Sequence, residues 1–397
     1  MVLLEDFLGT TYPRIFHLTV TGRCNASCDG CINSLIYGDR KGFFKDWETD
    51  PERDLKLLTY LITYENTNPL YIAFYGGEPL LSFEKLKTIM YTLKEKFAHK
   101  SLNFILYTNG LLIDKYLPHE KDFFAGLNLL IVSIDGREKQ HNTFRKGTNL
   151  KKIEENLGLL KKEVPLPVLM WSTIRENMSL LDCLEEFLSL YREDKTSYFF
   201  WHLLEGNEPV KDFERFKISY SKDLQILIEV FLQHLSDGKV LPLLPLCELI
   251  FFLMQGIRRG HTACGVEKLR NFDIQGGKIL PCADYGEEII LGGVSKDNGV
   301  YMDKESSMEK LKNLVLYKDY FGCKECQAEF YCGGRCPVLI KVSPVRAKQY
   351  CILTREFVRI VKESFPEILK IFKALNLDPK NLYFPYGYTT LLTDVIP

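Results

Sequence analysis

The chain has 397 residues and a formal net charge of −1. That length buries a large core and predicts two domains, while the near-neutral charge excludes a broad basic field for nucleic acid. Hydrophobic content of 46% and charged content of 26% are ordinary for a water-soluble fold. The apolar run from Leu241 to Met254 holds Pro242, Pro245 and Glu248 and is too short to span a bilayer. The opening Met-Val-Leu-Leu-Glu-Asp lacks the basic start of a signal peptide, so no membrane attachment and a cytoplasmic location are expected.

In chain order, residues 14–20 alternate in polarity and predict a strand. Pro51 opens a predicted helix over 51–64. A buried-type strand over 70–75 ends in Gly76-Gly77-Glu78-Pro79, and a helix follows over about 82–97. Strands at 102–108 and 128–134 end in Asn109-Gly110 and Asp135-Gly136. A helix over 149–163, a strand over 166–174, a helix over 178–192, a strand over 197–204 and a long helix over 211–236 complete the series. Strand and helix alternating in this way predict an α/β fold with a parallel sheet and crossover helices. In such folds the sites gather at the C-terminal ends of the strands, and every glycine or polar motif noted here stands at one of those ends. From about residue 240 the pattern changes to short apolar runs, glycine pairs and closely set cysteines, and 352–373 returns to helical spacing. The aromatic tail from Asn381 to Tyr388 reads as packing.

Twelve cysteines is a high count, and in a reducing compartment they point to metal before disulfides. Cys24, Cys28 and Cys31 form C-x3-C-x2-C just past the first strand. Three thiolates suit a four-iron cubane but leave one iron open to a small molecule. A zinc site is the competing reading, yet no histidine or fourth cysteine lies close in sequence. The late cysteines run Cys264, Gly277, Cys282, then Cys323-x2-Cys326-x5-Cys332-x3-Cys336, then Cys351. Cys183 and Cys247 stand apart, and Cys183, on a predicted helix, reads as core.

The triad, the GGEP string and the late cysteines together resemble the radical S-adenosylmethionine (SAM) enzymes that carry a SPASM domain, over about residues 14–355. The resemblance implies a partial (β/α)6 TIM-like barrel followed by a small cysteine-rich SPASM domain binding auxiliary iron–sulfur clusters. The implied parts are a barrel at 1–236, a bridging region at 237–260, the SPASM domain at 261–355 and a C-terminal helix and tail at 356–397. It implies three [4Fe-4S] clusters and SAM as cofactors. SAM would complete the open iron of the Cys24, Cys28, Cys31 cluster. Gly76, Gly77 and Glu78 would hold its amino group, with glycines admitting a ligand and the carboxylate suiting an ammonium. Ser133, Asp135 and Arg145 would contact its ribose and carboxylate, Asn109 would face the pocket, and Leu203 or Leu204 would pack on the adenine. The residue before the third cysteine is usually aromatic in the family; here it is Gly30, so that contact is expected from elsewhere, with Tyr37 a candidate.

The same resemblance implies an inner auxiliary cluster on Cys264, Cys282 and Cys336 and an outer one on Cys323, Cys326, Cys332 and Cys351. Some relatives have a further cysteine where Arg258 stands here. Cys247 and His261 are then candidates for the fourth inner ligand, and an open iron that binds a substrate thiolate is the alternative. The implied activity is reductive cleavage of SAM to a 5′-deoxyadenosyl radical that abstracts hydrogen from a ribosomal peptide, giving a thioether or other crosslink, or an epimerisation. Sulfatase maturation is the runner-up: those enzymes place an aspartate base directly after the second SPASM cysteine, where this chain has Ala283, with Asp284 one place on. Oxidation of a small alcohol or a cofactor precursor, and a non-catalytic electron carrier, are the further alternatives. Implied partners are a peptide or protein substrate, an electron donor such as flavodoxin or ferredoxin, and a separate leader-binding protein, because only 23 residues precede Cys24. The segment 33–50 is a candidate for substrate recognition.

Overall fold

The computed structural model describes residues 1–8, 14–31, 47–284, 289–382 and 396–397. Tyr37, most of the 33–50 segment and the aromatic tail beyond residue 382 lie outside the described residues. The first half follows the predicted alternation: β1 (Arg14–Thr21), α1 (Pro51–Tyr64), β2 (Leu70–Gly76), α2 (Phe83–Lys96), β3 (Leu102–Thr108), β4 (Leu129–Ser133), α3 (Leu150–Glu163), β5 (Val168–Ile174), α4 (Leu180–Arg192), β6 (Tyr198–Leu203) and α5 (Phe213–Ser236). The helices begin where side chains can satisfy free amides. Asp50, ahead of Pro51, accepts from Arg53 N, and Asn149, Ser179 and Asp212 cap α3, α4 and α5 in the same way. Short helices at Ile113–Tyr116, Lys121–Ala125 and Glu138–Phe144 are too brief to show a period in sequence.

The six strands pair in parallel in chain order, β1 to β6. After α6 (Leu244–Gln255), β7 (Asn271–Gln275) joins the other side of β1, also in parallel. β8 (Lys278–Leu280), β9 (Gly292–Val294) and β10 (Val300–Met302) continue outward as an antiparallel meander. The result is one ten-stranded sheet with β10 and β6 at its edges, a partial barrel that does not close. The strands read as near-continuous apolar runs because both faces of the sheet are covered. α7 (Lys304–Asn313) and the long α8 (Pro344–Ala374) follow, and α8 packs along α5. Val2–Leu3 pairs with Ile257–Arg258, which ties the start of the chain to the residues just past α6. Among the described residues no helix is long and apolar enough to cross a membrane.

Strand register sets what the inside of the barrel presents. Phe104 faces outward, where Lys94 of α2 lies over its ring. Tyr107, three residues on, faces the opposite way. It belongs to an aromatic belt across the inner face: Tyr75 to Tyr107 at 6.0 Å, Tyr107 to Trp171 at 5.9 Å and Trp171 to Phe200 at 4.6 Å between ring centroids. His202 joins Trp171 at 5.3 Å, and His17 lies 6.4 Å from Tyr107. Tyr75, Tyr107, Ser133 and Trp171 are only half-buried. The interior is therefore a trough with aromatic walls rather than a filled core.

Candidate functional site

The triad loop leaves the end of β1 and is fastened from three sides. Ser27 N donates to Lys146 O at 2.7 Å and Asp29 N to Phe144 O at 2.8 Å, and Lys146 pairs with the Asp29 carboxylate at 2.8 Å. The Asn109 amide donates to Asn25 Oδ1 at 2.7 Å. Arg175 Nε donates to Asp29 O at 2.7 Å. Cys24 is exposed, Cys28 and Cys31 are half-buried, and each of the three thiols lies within electrostatic reach of another of the set. Gly30 has φ +68°, and a Cβ there would meet the Leu204 side chain at 2.7 Å. A glycine therefore stands before the third cysteine because the loop turns left-handed against β6's exit. Of the two leucines at that exit, Leu204 lies on the loop and Leu203 is buried in the apolar core.

The GGEP turn packs against the same loop. Gly77 N donates to Thr21 O at 2.7 Å and Glu78 N to Arg23 O at 2.8 Å. A Cβ on Gly76 or Gly77 would run into the carbonyl oxygens of Thr21 and Arg23. The two glycines thus admit neighbouring backbone, a use the string alone did not reveal. Glu78 is fully buried and accepts from Leu80 N at 3.1 Å, Thr108 Oγ1 at 2.9 Å and Asn109 N at 2.7 Å. Burial pushes its carboxyl up to about 7, against those three hydrogen bonds. Its oxygens fasten the end of β2 to the end of β3, and through Asn109 to the triad loop.

Asp135 is the centre of the charged network below the triad. It is fully buried, faces Arg145 Nε at 2.8 Å and Arg175 Nη1 at 2.7 Å, and accepts from Thr173 N at 2.9 Å. Burial alone would raise its carboxyl, but the two guanidiniums outweigh it and hold the group well below the usual carboxylate range. Arg145 is bound on the side of Asp135 and reaches the triad on the other, where the Cys28 and Cys31 thiols feel its charge. Thr173 Oγ1 bonds His202 Nε2 at 2.9 Å, and burial drives that imidazole down to about 3, so it stays neutral. Ser133 is half-buried beside Trp171 in register. Arg175, Thr173 and His202 were not singled out in the sequence. Arg175 follows the last residue of β5, so the strand-end rule that marked the other motifs marks it too.

The late cysteines separate into two groups. Cys323, Cys326, Cys332 and Cys351 line one cavity, with Tyr317, Phe321 and Arg335 in its wall. Cys264, Cys282 and Cys336 act electrostatically on one another, and the Asp284 carboxylate acts on both Cys282 and Cys336. Cys247 is not brought to them. It lies in buried α6 with its thiol donating to Leu241 O at 3.2 Å, and no other cysteine is among the groups that shift it. His261 is buried, with Nδ1 at 2.6 Å from Thr262 O. Cys183 is buried in α4. Among the described residues, no three His, Cys, Asp or Glu side chains converge tightly enough to hold one metal ion. In the outer group the thiols border a volume rather than a point, which fits the donor set of a cluster.

Residues 18–188 match the Radical SAM superfamily. The chain carries a radical SAM domain. A GTP 3′,8-cyclase of Staphylococcus carnosus is 32% identical over 137 residues, which are 34% of this chain and 38% of that protein. This chain therefore matches less than half the length of the curated relatives. Among solved structures, histidine-tagged anSMEcpe with bound AdoMet superposes with a TM-score of 0.71 at 19% identity, over 95% of this chain and 100% of that one. Streptococcus suis SuiB bound to its precursor peptide SuiA superposes with a TM-score of 0.53 at 14% identity, over 85% and 74%. These likenesses show the fold. A radical SAM domain implies a [4Fe-4S] cluster and SAM.

Proposed function

We propose that this enzyme modifies a peptide, with its first cluster on Cys24, Cys28 and Cys31 and two auxiliary clusters on the late cysteines. The observation that carries the reading is the sorting of seven late cysteines into a set of four around one cavity and a set of three around Cys336. A radical enzyme with auxiliary clusters has somewhere to send the electron released when a substrate radical is oxidised. The fold shared with SuiB, solved with a precursor peptide, supports a peptide as the substrate. When bound, the first cluster and SAM supply a carbon radical able to take hydrogen from an unactivated C–H bond.

The chain's own residues then have definite work. Asn109, Arg175 and the backbone of residues 144–146 fix the triad loop. Arg145, steadied by Asp135, supplies positive charge beside Cys28 and Cys31 and presents it to a carboxylate of SAM. The aromatic trough holds the reacting segment away from water, which would otherwise quench the radical chemistry. Cys264, Cys282 and Cys336 would hold the inner cluster by three thiolates, which would leave room for a peptide thiolate.

Sulfatase maturation stands as the second reading because Asp284, though one place displaced, acts on two of the inner cysteines. The deciding experiment is anaerobic incubation of the reconstituted enzyme with SAM, a reductant and either a short peptide encoded beside its gene or a sulfatase-derived cysteine peptide. The proposal expects 5′-deoxyadenosine together with a mass loss on the encoded peptide that marks a crosslink, or deuterium uptake from heavy water that marks an epimerisation. A formylglycine product on the sulfatase peptide, with the encoded peptide unchanged, would reverse the order of the two readings.

A further inference from the structure

Arg335 stands between Gly334 and Cys336 and lines the cavity of the four outer cysteines. It is 3% exposed. A guanidinium keeps its charge at any pH a protein meets, and burying that charge is costly unless something negative answers it. Three other buried arginines have a carboxylate side chain beside them: Arg145 and Arg175 share Asp135, and Arg259 meets Glu248 at 3.1 Å. Arg335 does not. Nη1 donates to Ile396 O at 2.8 Å, and Nη2 to Tyr350 O at 2.8 Å, Pro397 O at 3.2 Å and the Thr354 hydroxyl. Among the described residues no Asp or Glu side chain is in ion-pair contact with Arg335, and its buried Nε has no hydrogen-bond partner. The groups that act on it most strongly as charges are Cys332 and Cys351, both in the wall of the same cavity, with Glu205 acting more weakly.

We propose that Arg335 is the built-in counter-charge of the outer auxiliary cluster and holds its reduction potential up. This rests on the reading of Cys323, Cys326, Cys332 and Cys351 as the ligands of that cluster. Four iron-bound thiolates give the cluster a negative charge, and one-electron reduction makes it more negative. A fixed cation a short way off in a low-dielectric wall stabilises the reduced form more than the oxidised one, and a buried N–H near the cluster sulfurs acts in the same sense. Electrons leaving the substrate then meet an outer cluster that is easier to reduce than it would be without this guanidinium. Arg355 borders the same cavity but is exposed, so water screens its charge.

The test is an anaerobic redox titration followed by electron paramagnetic resonance on reconstituted full-length protein, comparing wild type with Arg335→Gln, Arg335→Lys and Arg355→Gln. The signal of the first cluster is recognised by its response to added SAM. Arg335→Gln is expected to make reduction of one auxiliary cluster at least tenfold less favourable, a downward shift of about 59 mV or more for one electron, with the SAM-responsive signal unmoved. Arg335→Lys keeps the charge and should keep most of the potential, and Arg355→Gln should shift it less. An Arg335→Gln protein with full iron and an unmoved potential overturns the proposal, as does an equal shift in the Gln and Lys variants. If Arg335→Gln fails to load the cluster, Arg335→Lys decides: loading with a near-native potential supports the charge role, and failed loading overturns it. Wild-type protein that binds only about four irons in place of about twelve would instead sink the auxiliary-cluster reading itself.

Discussion

The triad loop and the four-cysteine cavity hold their thiols in opposite ways. Cys24, Cys28 and Cys31 sit on a loop with an exposed first cysteine, fastened by groups from the ends of β2, β3 and β5 and by the backbone of Phe144 and Lys146. Cys323, Cys326 and Cys332 are shaped by their own local turns, with Cys326 N donating to Cys323 O at 3.1 Å and Cys332 N to Ala328 O at 2.9 Å, and α8 brings Cys351 to close the wall. On the proposed reading, the site that admits a small molecule to one iron keeps its first cysteine exposed, and the site with four protein ligands is walled by its own turns and α8. Three groups of variants press on that difference.

The largest expected effect is all-or-none. Changing Cys24, Cys28 and Cys31 to alanine should remove about four irons and abolish 5′-deoxyadenosine formation. Changing Cys323 and Cys326 should also remove about four irons but leave SAM cleavage by the reduced enzyme in place, with modified peptide lost. Iron assay and product chromatography read both, and loss of SAM cleavage in the second pair would show that the two centres are not separable as described. Next comes Asp135→Asn, which strips two buried guanidiniums of their shared carboxylate. A loss of roughly 3–5 kcal/mol in denaturant unfolding of the apoprotein is expected, with weaker retention of the first cluster and normal retention of the outer one. Equal loss from both centres would count against the strand-end anchoring of the triad.

The smallest effect is a pH dependence. The Glu78 carboxyl sits at about 7 when folded against an ordinary 4.5. Below about 4.5 it is protonated in both states and its contribution is fully present; as pH rises the unfolded chain ionises first, and stability is lost until about pH 7. The shift corresponds to about 3 kcal/mol. Apoprotein carrying Glu78→Gln lacks this term, so the unfolding midpoint of wild type should fall relative to the variant between about pH 4.5 and 7. A gap that stays constant across that window would mean Glu78 ionises as it does in water.

The sheet was legible because parallel strands buried on both faces leave unbroken apolar runs, and because Asp50-Pro51, Asn149, Ser179 and Asp212 mark helix starts chemically. β1 through β6 accordingly lie within a residue or two of their predicted limits. The cysteine sets were legible because ligand spacing within a loop is a covalent fact. Partnership across the fold was not. Spacing marks Glu78 and Arg145, but only the assembled strand ends show Glu78 bound to Leu80, Thr108 and Asn109, and Arg145 turned toward Asp135. Cys247 drew attention as a spare cysteine, and the helix around it turns its thiol to a carbonyl. Nothing local in the string Gly-Gly-Arg-Cys tells that its arginine is buried with no Asp or Glu in ion-pair contact among the described residues.

The register of β7 has a further consequence. From Ile15–Asn271 to Leu18–Ile274 it runs along the flank of β1, the strand whose end leads into the triad loop. The cysteine-rich half of the chain therefore supplies the neighbour that covers the barrel's first strand. Cutting the gene ahead of residue 261 would bare a line of unpaired amides and carbonyls, and a bared strand seeks other strands to join. The two halves are thus a poor pair for module swapping: a chimaera that borrows a different cluster domain has to bring a strand with the same register, or the catalytic half will aggregate before it can bind iron.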